Sequence, residues 1–187
     1  MNKVLKKYLI VAHPDDEVLW FNPKEFDKII IVFLEREDSL SITKARKRVL
    51  EKHPLKDRII CFGLKESNYW KDKTKEKEHK DNYDEFTRKL KGHLQSNMEI
   101  WTHNLWGEHE EHADHILVHQ GVMELADKFH IPVYCYNGID KIITSGIIKI
   151  QTDLVFFKEL RQLYLKEGAW TWENTYIPEY YREYFQV

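Results

Sequence analysis

A chain of 187 residues that is 42 % hydrophobic and 32 % charged has the make-up of one folded domain with a real core, which excludes a disordered chain. A net charge of -2 supplies no field that would gather nucleic acid or an anionic membrane, and no apolar run reaches bilayer-spanning length. The lysines near the N-terminus precede an apolar stretch too short for a signal segment, with acids following at once, so the protein reads as cytoplasmic. Cys61 and Cys135 lie in apolar runs without a CxxC pair and read as buried free thiols.

In chain order, residues 8–12 form a first strand that runs into His13-Pro14-Asp15-Asp16-Glu17. Trp20-Phe21-Asn22-Pro23 follows, and the next strand, 29–34, comes so soon that any first helix is short or broken. A helix over 41–52, capped by Ser41 or Ser39, leads to a strand at 58–62. Residues 65–82 mix charges without periodicity and read as a solvated surface loop. Phe86, Leu90 and Leu94, four apart, predict a helix over 83–95. A strand at 98–102, a helix at 113–129, strands at 131–136 and 142–150 and a helix at 153–166 complete the pattern. The aromatic tail, 168–187, reads as packing back on the domain as a lid or as a subunit interface ahead of binding a glycan directly, which leaves a homo-oligomer open. Strands alternating with helices predict a single α/β, Rossmann-like domain over 1–187, a mostly parallel sheet with helices on both faces. Ligands of such folds sit beyond the carboxyl ends of the strands.

The chemistry concentrates at two of those ends. Pro14 stops β-pairing, and three consecutive carboxylates exceed what helix capping needs, so a divalent cation is the direct remedy for their repulsion. The matching half is residues 101–119, with His103, His109, His112, His115 and His119. His112 and His115 are three apart, one helical turn, and Asp114 lies between them. The zincin pattern HExxH fails because Ala113 stands four residues after His109. GxSxG, a P-loop and GxGxxG are absent, which argues against serine hydrolase, P-loop and dinucleotide chemistry.

AHPDDE at 12–17, TH at 102–103 with GE at 107–108, and His112-Ala113-Asp114-His115 together resemble the PIG-L / LmbE-like zinc N-deacetylases over roughly the first two thirds of the chain. The resemblance implies that His13, Asp16 and His115 bind zinc, although other divalent transition metals suit the same nitrogen–oxygen set. It implies that Asp15 is the general base and later protonates the leaving amine, that His112 stabilises the oxyanion, and that Asp114 orients or charge-tunes His112. The substrate it implies is a small molecule or glycoconjugate carrying an N-acetylated amino sugar of the N-acetylglucosamine type. The alternatives are another metal-dependent amide hydrolase with a non-sugar substrate, or a non-catalytic carbohydrate-binding relative. Ala113 stands where the family has proline, Glu110-Glu111 precedes it, and bulky residues follow AHPDDE, changes that bear on substrate choice more than on metal.

The flanking residues carry competing readings. Glu17 is a cap or lies behind the site, and Glu108 is either a support for the site or a loop acid. His103, which ends a strand, is the best of the extra histidines to reach the site, ahead of His109 and His119. Trp20 and Trp106 suit sugar stacking, with core packing the weightier reading.

Overall fold

The structure is a computed structural model and describes residues 5–69, 71–108, 111–138, 142–173 and 175–187. Its elements in chain order are β1 (Lys6–Val11), α1 (Asp16–Leu19), β2 (Lys28–Glu35), α2 (Leu40–Lys52), β3 (Ile59–Lys65), α3 (Glu76–Lys91), β4 (Met98–Thr102), α4 (Ala113–Phe129), β5 (Val133–Tyr136), β6 (Ile147–Gln151), α5 (Leu154–Glu167) and β7 (Tyr181–Gln186). The strands form one seven-stranded sheet in the order β3-β2-β1-β4-β5-β7-β6. The β3 to β5 pairs are parallel, and β7 runs antiparallel to both β5 and β6.

Alternation along the central strands explains the layering. Ile10 and Ile30 face α3 and α4, packing with Phe86, Leu90, Leu117 and Val122. Leu9, Val11, Ile29 and Ile31 face the other side, with Trp20, Phe21 and Trp101. Beyond them, Ala45 and Val49 of α2 meet Phe157, Leu160 and Tyr164 of α5. Helices α3 and α4 approach closely because Gly121 has no side chain: a Cβ there would fall 2.6 Å from Phe86 Cε1. Among the described residues no helix is long and apolar enough to cross a membrane.

The expected α/β architecture is present, and several boundaries differ. The helix expected at 83–95 spans Glu76–Lys91, so the segment expected as a loop over 65–82 is helical in its last third. Phe86 and Leu90 are its only buried residues, and the rest of the helix is exposed or half-buried, which is why its first turns carry little apolar signal. Glu66 and Ser67, at the start of that segment, are buried rather than solvated. The strand expected at 142–150 is the shorter β6; 142–146 carry no strand, and 139–141 lie outside the described residues. The aromatic tail contributes β7, inserted between β5 and β6, with Tyr184 and Phe185 in the core. Cys61 and Cys135 are free, Cys135 fully buried but Cys61 only half-buried, short of the burial expected for it.

The sheet order places the site. From β1 the chain proceeds outward through β2 and β3, then returns to pair β4 on the other flank of β1. The carboxyl ends of β1 and β4 therefore lie side by side, with Ile10 registered on Thr102, at the point where the winding reverses.

Candidate active site

Two loops leave those adjacent strand ends. After β1, His13 and Pro14 lead into Asp15, a non-glycine residue in the left-handed region with φ 95°. That conformation is costly for an aspartate, and the surroundings hold it. The Asp15 N–H donates to Glu17 Oε2 and lies 2.9 Å from the Tyr164 hydroxyl oxygen as well, while that hydroxyl donates to Glu17 Oε1 at 2.7 Å. Glu17 is thus a buried brace for the turn, tied to α5. After β4, Asn104 Oδ1 accepts from the N–H groups of Trp106 and Glu108, and Glu108 Oε1 accepts from Asn104 N. These bonds fold the loop back so that Glu108 points inward beneath the start of α4.

His13, Asp16 and His115 each bring one ligand-capable atom within 4.8 Å of the others, all three buried. Asp16 Oδ2 lies 3.3 Å from His13 Nδ1 and 3.4 Å from His115 Nε2. The far nitrogen of each histidine meets a carboxylate: His13 Nε2 is 3.2 Å from Asp114 Oδ2, and His115 Nδ1 is 2.6 Å from Glu108 Oε2. A carboxylate behind an imidazole holds the ring proton on that side and turns the opposite lone pair inward. Two imidazole lone pairs and one carboxylate oxygen then face one another, a donor set that suits a divalent cation and leaves a fourth position open. The residues therefore fit a zinc ion.

The same contacts set the protonation of the metal-free site. Burial pulls His13 down, but Glu66, Asp114 and Asp16 outweigh it and carry it to about 9. Burial raises Asp16, yet His115, His103 and His13 hold it well below the usual carboxylate range. Asp15, by contrast, is pushed up to about 7 by burial and by Asp16, with Thr171 opposing. His112 is driven down to about 2 by burial and by His115 and His13, so it is neutral. Its Nδ1 accepts the Asp114 N–H at 3.2 Å as the N-cap of α4, which places its ring proton on Nε2.

Of the residues expected from sequence, His13, Asp15, Asp16, His112 and His115 line one cavity of about 210 Å³, and Asp114 lies behind His13. The Asp114 carboxylate bonds His13, its backbone N–H meets His112, and its charge also raises His112 against the effect of burial. His103 stacks on His115 with ring centroids 3.9 Å apart. Its Nε2 lies 2.9 Å from the Ala12 backbone nitrogen, and although burial pulls His103 down, Glu108 and Asp16 outweigh it and carry it to about 9. His119 lies one layer back, with Nδ1 2.9 Å from the His103 carbonyl oxygen, and His109 lies outside the described residues. Trp20 is in the core and touches the cavity with one edge, whereas Trp106 lines a separate surface groove.

The cavity also contains Arg36, Arg46, Glu66 and Thr171, which sequence reasoning passed over, and Trp172 of the aromatic tail, for which glycan contact was one of the readings. Glu66 directly follows β3, so its strand-end position was the available signal. Arg46 of α2 is buried and paired with Glu66, whose other oxygen lies 3.7 Å from Arg36. Thr171 had no local signal, because its partner is Asp15.

Over 97 % of its length the chain matches 97 % of a deacetylase from the teicoplanin biosynthesis pathway, in its bog complex, with a TM-score of 0.66 at 12 % identity. The deacetylase–teicoplanin complex from the same pathway matches with a TM-score of 0.60 at 10 % identity, again over 97 % of both chains. The pseudoaglycone deacetylase Dbv21 matches with a TM-score of 0.53 at 12 % identity, over 88 % of this chain and 80 % of the other. The fold is that of these deacetylases. No family model and no curated protein matches the sequence.

Proposed function

We propose that this chain is a zinc-dependent N-deacetylase of the PIG-L / LmbE-like kind, releasing acetate from an N-acetylated amino sugar or glycoconjugate of the N-acetylglucosamine type. The observation that carries the reading is the meeting, in one cavity, of His13, Asp16 and His115 with the carboxylate of Asp15. The likeness in fold to deacetylases, one of them solved with teicoplanin, supports it.

His13, Asp16 and His115 would hold the ion, with Asp114 and Glu108 fixing the two imidazoles from behind. A zinc ion bound there lowers the pKa of water toward ~7 and polarises an amide carbonyl. Asp15, adjacent in sequence to Asp16 but turned to its own partners, takes the proton of the attacking water and returns it to the amide nitrogen as the C–N bond breaks. The neutral His112 offers its Nε2 proton to the carbonyl oxygen as that atom gains negative charge. Trp172 and Trp20, packed edge to face with centroids 5.2 Å apart, supply an apolar wall on which a sugar ring rests.

Acetate release, measured across N-acetyl sugars and N-acyl amines with zinc supplied, tests the reading. Acetate is expected from N-acetylglucosamine derivatives, and Asp15→Ala is expected to lower kcat by roughly 10²- to 10⁴-fold with zinc content unchanged. Near-normal turnover by Asp15→Ala, or acetate only from non-sugar amides, contradicts it.

A further inference from the structure

Asp15 is held from the far end of the chain. The Thr171 backbone N–H donates to Asp15 Oδ2 at 3.1 Å, and the Thr171 hydroxyl donates to the same oxygen at 2.6 Å. The 2.6 Å distance is that of a strong, charge-assisted bond. Among the described residues, no donor is bonded to Oδ1.

The segment that carries Thr171 is itself fixed. Gly168 ends α5 in the left-handed region, with φ 76°, and turns the chain back toward β1. Ala169 N–H donates to the Tyr164 carbonyl at 2.8 Å, and Ala169 is fully buried. On the other side of Thr171, the Trp172 ring packs on Trp20 and on Tyr176. Tyr164, on the last turns of the same helix, reaches the Asp15 backbone N–H. Helix α5 and the turn after it therefore grip Asp15 at both ends, by its main chain and by its carboxylate.

We propose that Thr171 is a positioning residue for Asp15: by holding Oδ2 in two hydrogen bonds, it leaves Oδ1 as the oxygen that exchanges the proton with water and with the leaving nitrogen. A carboxylate rotating about its Cβ–Cγ bond would present either oxygen in varying directions, and the clamp removes that freedom before substrate arrives. This rests on the reading of Asp15 as the proton-transferring group. The hydroxyl, not the backbone N–H, is the part a side-chain change can remove, so Thr171→Val keeps the shape and the anchoring N–H while deleting the shorter bond.

Two measurements test the proposal. With zinc-loaded protein and the methyl glycoside of N-acetylglucosamine, Thr171→Val is expected to lower kcat by roughly 10- to 100-fold with KM unchanged, and Thr171→Ser to stay near wild type. Wild-type kcat in Thr171→Val overturns the proposal, as does an equal loss in the Ser and Val variants. In metal-free protein, hydrogen exchange at the Thr171 amide is expected to be slow in wild type and fast in Asp15→Ala. Equal exchange in the two means that the clamp does not exist in solution. If wild-type protein releases no acetate from any substrate, the deacetylase reading fails, while the exchange measurement still decides whether Thr171 holds Asp15.

Discussion

Glu108 shows how one buried side chain sets the chemistry of its neighbours. It lies 2.6 Å from His115 Nδ1 and 3.0 Å from His103 Nδ1, the second contact off the hydrogen-bonding line. By fixing the proton on His115 Nδ1 it commits Nε2 to the interior of the site. Glu108→Gln keeps the size but loses the charge that favours this tautomer, so zinc affinity is expected to fall by roughly 10- to 100-fold, read by competition with a chelating dye. Unchanged affinity would mean that His115 needs no support from behind. The same residue carries a pH signature in metal-free protein. Burial raises Glu108, but His103 and His115 outweigh it and lower it from 4.5 to about 2. A depressed acid stabilises the fold fully above its unfolded value and loses that contribution as pH falls through its folded value. The metal-free protein is therefore expected to lose stability between pH 4.5 and about 2, with a shallower loss in Glu108→Gln by thermal melting across that window. At this scale the cavity-lining residues of the two motifs were legible, since AHPDDE and HADH announce themselves by chemical type and spacing. Thr171, Tyr164 and Arg46 were not, because each is an ordinary residue whose role comes from a partner remote in sequence.

At the scale of elements, the four-residue helix α1 is too short to be stable alone. Arg182 of β7 completes it. Its buried guanidinium donates to the carbonyls of Val18 at 2.6 Å and Leu19 at 3.1 Å, to Asn22 Oδ1 at 3.0 Å, and to the Phe21 carbonyl. These acceptors include the last carbonyls of the helix, which otherwise lack partners. Burial lowers the Arg182 pKa, with Tyr184, Tyr176 and Tyr136 opposing that shift. Arg182→Met, of similar length, is expected to cost about 3 kcal/mol by leaving buried carbonyls unpaired, measured by urea unfolding. A change of a few tenths would show that α1 stands without this cap. The elements with apolar periodicity, β1, β2, β4 and α4, were readable in the sequence at nearly their final bounds. The start of α3 was not, because a helix buried at two residues leaves little pattern. Nor was β7, whose Tyr-Arg-Glu-Tyr-Phe-Gln sequence alternates only weakly and whose buried arginine mimics a surface residue. The residues following AHPDDE, expected to shorten the first helix, do so: Trp20 closes α1, and Phe21 enters the core.

Across the whole molecule, the sheet order turns two distant motifs into one site. Sequence alone placed both at strand ends, but their adjacency follows from β1 pairing β4, a choice fixed by the packing of Ile10, Ile100 and the α3–α4 layer. A site whose ligands come from both sides of this junction ties it together when an ion binds. Zinc held at 100 times its dissociation constant is expected to stabilise the fold by about 2.7 kcal/mol. For a chain of this length, that is a rise in Tm of roughly 5–10 °C over protein kept in chelator. Whether the loops after β1 and β4 grip one divalent ion beside Asp15 is decided by diffraction from zinc-loaded crystals at the zinc absorption edge. One strong anomalous peak is expected about 2.0–2.2 Å from His13 Nδ1, Asp16 Oδ2 and His115 Nε2. No peak at that position, or a peak held by other side chains, would contradict it.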